Sequence, residues 1–375
     1  MKGYKETAPD NRAILDWLFE TGQIDLERGA LFDQVLGPQR PDLDLKRLEG
    51  MLLGVAIGDG LGNTTESTPP AERQAMYGEI RDYLPNHHAN GRCVGLPSDD
   101  TQLTFWTLEQ LLEDNGLVPE HLAARFCRER IFGIGRTVAQ FIDNYRSGLA
   151  WYQCGVRSAG NGALMRIAPV LVPHLRRGTP GLWADVAVAA MLTHNDAGSI
   201  AACLAFVYVL WQLLQMDTAP PPEWWLDTYV DTAQHLEGEK NYEPRRATVP
   251  PYRGPMWRYV QEHVWHAHRA RIPVRQACEE WGSGAYLMET LPSVLYILMR
   301  HADDPEQAII RAVNDTWDND TIAAIVGAAV GALHGVNGLP ERWVAGLSGR
   351  TRADDDGYIY QLVEQAKQHF WERTD

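Results

Sequence analysis

Cysteine is scarce in this chain, with five in 375 residues, and no two form a C-x-x-C pair. Cys93, Cys127, Cys154, Cys203 and Cys278 are far apart and odd in number, so neither a disulfide framework nor a thiolate zinc site is expected. This usage suits a reducing, cytoplasmic compartment. Positive charge is also in deficit. Lys and Arg total 34 against 49 Asp and Glu, a formal net charge of −15. Non-specific binding to a nucleic-acid backbone needs a basic footprint, and this chain has the reverse. A compact anion held by backbone N–H groups or by metal ions is compatible with that charge. The segment Met1-Lys2-Gly3-Tyr4-Lys5-Glu6 lacks the apolar stretch of a signal peptide. Alternating strand patterns of useful length are few, and no fixed-period repeat is visible.

Hydrophobic residues make up 45% and charged residues 22% of the chain, the balance of an ordinary folded protein. The length suits one large domain or two modest ones. Apolar residues recur at helical spacing over Leu45–Ile57, Thr101–Leu112, Val138–Tyr145, Leu182–Leu192, Ile200–Leu214, Leu287–Met299, Pro305–Val313 and Ile322–His334. These patterns predict an all-α protein with one main core. Residues 1–45 read as an N-terminal extension, 46–345 as the main domain and 346–375 as a C-terminal helical tail. Within the main domain, residues 218–280 are rich in Trp, His, Arg and Pro and read as an insertion packed on the outside. Two runs, Ala197–Met216 and Thr321–Pro340, carry no Asp, Glu, Lys or Arg. Each is about long enough to cross a bilayer. Ser199, Gln212 and Gln215 in the first, and His334 and Asn337 in the second, favour buried helices instead, so no membrane association is expected.

Two of these helices carry glycine at every fourth position: Gly50, Gly54 and Gly58, then Gly327, Gly331 and Gly335. Each Gly inside a helix costs about 1 kcal/mol relative to Ala. Three in register leave one face free of side chains, on which a second backbone can approach closely. Both helices abut acidic clusters, so tight packing would bring those clusters together.

The first cluster is Ser98-Asp99-Asp100-Thr101, at the start of an apolar helix. Helix capping is the simpler reading, since Ser or Asp accepts backbone N–H bonds and negative charge suits that end. One carboxylate would suffice for capping, and two side by side repel unless a cation or proton lies between them. The second cluster is Asp315-Thr316-Trp317-Asp318-Asn319-Asp320-Thr321. Asp318, Asp320 and Thr321 offer hard oxygen atoms that suit Mg²⁺, Mn²⁺ or Ca²⁺. The Ile-Ala-Ala-Ile that follows is helical and excludes an EF-hand loop. Two acidic clusters of one design suit a shared binuclear site. A glycine-rich turn, Gly58-Asp59-Gly60-Leu61-Gly62, ends a helix and delivers Glu66. In Ser158-Ala159-Gly160-Asn161-Gly162, glycine on both sides of Asn161 allows backbone N–H groups to face an anion. Thr193-His194 and Gly133-Ile134-Gly135-Arg136-Thr137 are weaker signals, a lone histidine and a short Gly-x-Gly.

Taken in order, these motifs resemble the ADP-ribosylglycohydrolase family. The resemblance runs from about Leu45 to Trp343, interrupted by the 218–280 insertion. It implies a compact orthogonal helical bundle with a binuclear Mg²⁺ or Mn²⁺ centre in a cleft. Carried over by position, the metal ligands are Ser98, Asp99, Asp100, Asp318, Asp320 and Thr321. Glu66 matches an acid that approaches a metal or the scissile ribose, which makes Glu66, Asp99 and Asp100 the catalytic candidates. Gly160, Asn161, Gly162 and His194 match segments that hold the diphosphate and ribose, and Gly133 and Gly135 match a loop beside the ligand. The sequence departs from the family pattern in three places. Ser98 stands where Thr is usual, which keeps the oxygen. Trp317 follows Thr316 in place of a glycine pair and sets a large aromatic at the rim. Gly133 replaces an acid found in many members, which puts an arginine linkage in doubt. The implied activity is metal-dependent hydrolysis of the ribosyl C1 bond of an ADP-ribosylated protein, nucleic acid or small molecule. A related hydrolase of nucleoside-like or phosphoester substrates, or a non-catalytic ADP-ribose-binding protein, remains as the alternative.

Overall fold

The computed structural model describes residues 10–176, 178–246 and 251–372. Its α-helices begin with α1 (Asn11–Glu20), α2 (Leu45–Gly62), α3 (Pro70–Tyr77), α4 (Asp99–Asp114), α5 (Pro119–Phe126) and α6 (Arg136–Arg146). The chain continues through α7 (Leu182–Met191), α8 (Ala197–Leu213), α9 (Pro222–Ala233), α10 (Met256–Ala270) and α11 (Val274–Trp281). It closes with α12 (Leu287–His301), α13 (Pro305–Asp315), α14 (Asn319–His334), α15 (Glu341–Gly346) and α16 (Tyr358–Ala366). The sheet among the described residues is one two-residue hairpin, β1 (Pro85–Asn86) with β2 (Arg92–Cys93), paired antiparallel. The protein is all-α.

The centre of the fold is the pair α2 and α14, both buried along nearly their whole length. Glycine is the reason they meet so closely. A Cβ on Gly50 would lie 2.5 Å from the Gly331 carbonyl oxygen. Cβ atoms on Gly54, Gly58, Gly327 and Gly331 would intrude further on the facing backbone. Gly335 plays another part: it ends α14 with φ of +72°, a left-handed conformation that favours glycine. The expected glycine-rich turn after Gly58 is absent. Instead α2 runs on to Gly62, because Gly58 and Gly62 abut the backbone of Ala323 and Asp320 and the close approach continues to the N-terminus of α14.

Other helices wrap this pair. α13 lies against α14, and α12 against α13. α9 packs on α8, and α10 and α11 pack on α12, burying Trp225, Tyr259, Val264 and Trp281. Helices α9, α10 and α11 are therefore folded onto the body through an apolar face of their own. At the other end, α1 packs on α7, and Asn11 Nδ2 donates to Asp185 Oδ1 (2.6 Å) and to the Leu117 carbonyl (2.9 Å). The two uncharged runs form α8 and α14. Among the described residues no helix is long and apolar enough to cross a membrane.

Candidate metal centre and cleft

Three helix ends converge at one point: the C-terminus of α2 and the N-termini of α4 and α14. Helix N-termini favour negative charge, so two of the three ends suit carboxylates. Asp59, near the end of α2, is wholly buried. Its two oxygens accept from Ser98 N (2.9 Å), Ser98 Oγ (2.8 Å), Thr101 N (3.1 Å), Thr101 Oγ1 (2.6 Å) and Asn63 Nδ2 (3.0 Å). Asp59 thus caps α4 from outside that helix. Ser98 occupies the cap position of α4, but its side chain makes no capping bond. The capping expectation for Ser98 is overturned, because its hydroxyl is drawn to the stronger charged acceptor.

This arrangement releases Asp99 and Asp100 from capping. Asp100 is buried; its Oδ2 receives the Thr321 hydroxyl at 3.3 Å and the Ser98 hydroxyl at 3.4 Å. Its Oδ1 is buried with no hydrogen-bond partner. Oxygens of Asp59, Asp100 and Asp320 all lie within 4.8 Å of one another, and the same holds for Glu66, Asp318 and Asp320. Asp320 belongs to both sets. Asp318 is oriented by Asn161 Nδ2, which donates to its Oδ2 at 2.6 Å.

Among the described residues, no lysine or arginine forms an ion pair with any of these carboxylates. Arg73 comes near, but its guanidinium is taken up by the backbone carbonyls of Thr68, Val313 and Thr316. Burial, as the largest cause, pushes the carboxyl groups of Asp59, Asp99, Asp100 and Asp320 upward. For Asp99, Asp100 and Asp320, charge repulsion from neighbouring acids adds to it. Asp318 is pushed up to about 6 by burial, against the Asn161 hydrogen bond. Glu66, open to solvent at the edge, is raised by burial of its carboxyl group and by the Asp59 charge. Each upward shift favours the protonated form when no cation is bound; a bound divalent metal would compete with those protons and use the unpartnered Asp100 oxygen. The donor set is all oxygen, which fits Mg²⁺ or Mn²⁺.

The carboxylates floor a cavity of about 450 Å³. Glu66, Asp99, Asp100, Asp318, Asp320 and Thr321 line it, together with Gly133, Gly135, Gly160, Asn161, Gly162 and His194. Ser98 and Trp317 do not. Ser98 stands behind the floor on Asp59, and Trp317 lies outside with the Arg246 guanidinium 5.6 Å from its ring centre. Gly133 has φ of +66°, and a Cβ there would sit 3.4 Å from Asp99 Oδ1. The Asn161 N–H is unavailable to a ligand, since it donates to the Ala285 carbonyl at 3.0 Å. The expectation that the backbone N–H groups of the Gly160–Gly162 loop face an anion therefore fails for Asn161 itself. His194 is buried beside the loop, and a Cβ on Gly162 would lie 2.9 Å from its Cε1. Burial, reinforced by Arg166, lowers His194 to about 3. The ring is therefore neutral, and its Nδ1 is paired with Thr193 Oγ1 at 2.9 Å.

Sequence reasoning overlooked two residues here. Asp59 was passed over as part of a turn, although a carboxylate inside an otherwise apolar, glycine-faced helix cannot be buried without several donors. Arg245, from the 218–280 segment, also lines the cavity, and no local pattern marks it.

Comparison with known proteins places the chain in a family. Residues 40–374 match the family model described as ADP-ribosylglycohydrolase. ADP-ribosylhydrolase ARH3 of Xenopus tropicalis is 25% identical over 347 residues, covering 85% of this chain and 96% of that protein. The ADP-ribosyl-[dinitrogen reductase] glycohydrolase of Rhodospirillum rubrum is 26% identical over 306 residues, covering 80% and 90% respectively. A solved structure titled ADP-ribosylglycohydrolase-related protein complex superposes with a TM-score of 0.64 at 24% identity, over 87% of this chain and 97% of that one, a likeness of fold. The match spans both acidic helix ends and the loops between them, and by it the chain belongs to the ADP-ribosylglycohydrolase family.

Proposed function

We propose that the protein is a metal-dependent hydrolase that cleaves the ribosyl C1 bond of an ADP-ribosylated acceptor and releases ADP-ribose. The observation that carries this reading is Asp320, shared by two acid triads with which, among the described residues, no lysine or arginine forms an ion pair. Asp59, Asp100 and Asp320 would hold one divalent ion, and Glu66, Asp318 and Asp320 a second. Bound there, such ions would supply Lewis acidity toward water and the ribose hydroxyls.

The chain's own groups do the rest. Cleavage at C1 develops positive charge on the ribose, and the ring of carboxylates favours that charge electrostatically. Asp99 lines the cavity without belonging to either triad, so it can face the ribose directly. Glu66, at the open edge, can take a proton from attacking water or orient it. The Gly160–Gly162 loop lines the cavity and can receive the diphosphate, and a neutral His194 beside it adds no charge there.

The test is release of free ADP-ribose from arginine-, serine-, nucleic-acid-end- and small-molecule-linked substrates. Each is run with Mg²⁺ or Mn²⁺, with and without EDTA, beside Asp320→Ala. Metal-dependent release from one linkage, lost in the variant, is the expected result and names the acceptor. Cleavage of a nucleoside-like or phosphoester substrate alone, or ADP-ribose binding with no release from any linkage, would overturn it.

A further inference from the structure

An acidic cleft is a poor host for a diphosphate unless cations offset it. Among the described residues two cationic side chains line this cavity, Arg136 at the start of α6 and Arg245 between α9 and α10. Neither is ion-paired among the described residues. Arg245 is the more informative, because its position is built from both sides. Three residues before it, the Tyr242 hydroxyl donates to Asp196 Oδ1 (3.1 Å) and accepts the Gly198 N–H (2.8 Å) at the start of α8. Tyr242 also pairs with Gly254 across an antiparallel bridge. One residue after it, Arg246 Nη2 donates to the Gly282 carbonyl at 3.1 Å. Between these anchors the Arg245 guanidinium lies 4.1 Å from the ring centre of Tyr286.

Tyr286 fixes where that charge is aimed. It is bridged to Gly160, with Asn161 N donating to the Ala285 carbonyl (3.0 Å) and Leu287 N to the Ala159 carbonyl (2.9 Å). The guanidinium is therefore held beside the Gly160–Gly162 loop and away from the apolar core. Its side chain is exposed, so core packing does not require it. A planar guanidinium resting on an aromatic ring is pre-oriented, and its fork matches phosphate oxygens. Gly160, Gly162 and Arg245 line the same cavity.

We propose that Arg245 binds the diphosphate of ADP-ribose against the Gly160–Gly162 loop, and so selects diphosphate-bearing ribosyl substrates over plain ribosides. This rests on the function proposed above. The test uses the full-length protein in Mg²⁺. ADP-ribose and adenosine are titrated calorimetrically into wild type, Arg245→Ala and Arg245→Lys, and kcat and KM are measured on the substrate the wild type cleaves. The expected result is ADP-ribose binding weakened about tenfold or more in Arg245→Ala, partly restored by Lys, and steeper salt dependence in wild type. Adenosine binding and thermal midpoint stay unchanged, KM rises, and kcat holds within about twofold. Equal ADP-ribose affinity in wild type and Arg245→Ala, or a fall in kcat with KM unchanged, would overturn the inference while leaving the proposed function standing. Wild type that binds no ADP-ribose at all would overturn both.

Discussion

At the Gly50–Gly331 end of the α2–α14 pair, backbone lies on backbone and the contact serves packing. At the Gly62–Asp320 end, the same approach sets Asp59 beside Asp320, two acids with no ion-pair partner among the described residues. One device thus has two outcomes. Where the glycines stop, the helices hand over to their own termini, and α4 arrives to bring Asp100. The comparison teaches that this centre is held together by helix packing and pushed apart by its charges. Removing a glycine and removing an acid should therefore move stability in opposite directions.

The largest effect is expected at the acidic end. Asp320→Asn deletes the carboxylate common to both triads. Turnover should fall by at least about a thousandfold, or about 4 kcal/mol of transition-state stabilisation. In EDTA the same variant should melt higher than wild type, because a buried, repelled carboxylate has gone. A variant that loses activity and also melts lower in EDTA would break the contrast. At the packing end, Gly54→Ala drives a Cβ into the Gly327 backbone, where no flexible side chain can yield. A loss of about 3 kcal/mol or more is expected by denaturant titration, the upper range for overpacking. Metal affinity should fall with it, since the far end is splayed by the same helices. Retained affinity in a destabilised Gly54→Ala would uncouple the two ends.

The pH dependence sharpens the comparison further. In the metal-free protein the folded-state pKa values of Asp59, Asp99, Asp100, Asp318 and Asp320 lie above their unfolded values. Their contribution is fully present below the unfolded carboxylate range, near about 4, and is lost as pH rises through the folded values, Asp318 at about 6 included. Bound metal reverses the sign, since it holds the same groups ionised. The gap in melting temperature between Mg²⁺ and EDTA should therefore be small near about pH 5 and wide near about pH 8. A gap independent of pH would mean that these acids are not the ligands.

Much of this was legible in the chain because it is local. Apolar periodicity marked α4, α7, α8, α12 and α13 to within a few residues, since a buried helix must be apolar at that spacing. Glycine at every fourth position announced a close helix contact, and the flanking acids announced what it would bring together. Interactions that cross the fold were harder to read. Asp59 takes its donors from Ser98 and Thr101, across 39 and 42 residues of chain. No periodicity connects an acid in one helix to hydroxyls at the head of another. Asn161 looked like part of an anion nest because glycines flank it, yet its N–H serves Ala285 and its amide serves Asp318. Arg245 sits in a segment without helical or strand pattern, and only the anchors at Tyr242 and Arg246 give it a place.

The smallest expected effect tests the hinge between the two ends. Ser98 gives Asp59 both its N–H and its hydroxyl, and Thr101 gives the same pair. Removing one hydroxyl leaves the carboxylate four donors, so Ser98→Ala should cost about 1.5–3 kcal/mol of stability, as for a hydrogen bond to a charged group. Ser98→Thr keeps the oxygen and should be near neutral. If the hydroxyl were itself a metal ligand, Ser98→Ala would weaken Mg²⁺ or Mn²⁺ far more than it weakens the fold. If it only orients Asp59, metal affinity and stability should fall together and modestly. Titrating Mn²⁺ into both variants separates the two. The structure favours orientation, because the hydroxyl already points at Asp59 at 2.8 Å and Ser98 lies outside the cavity lining.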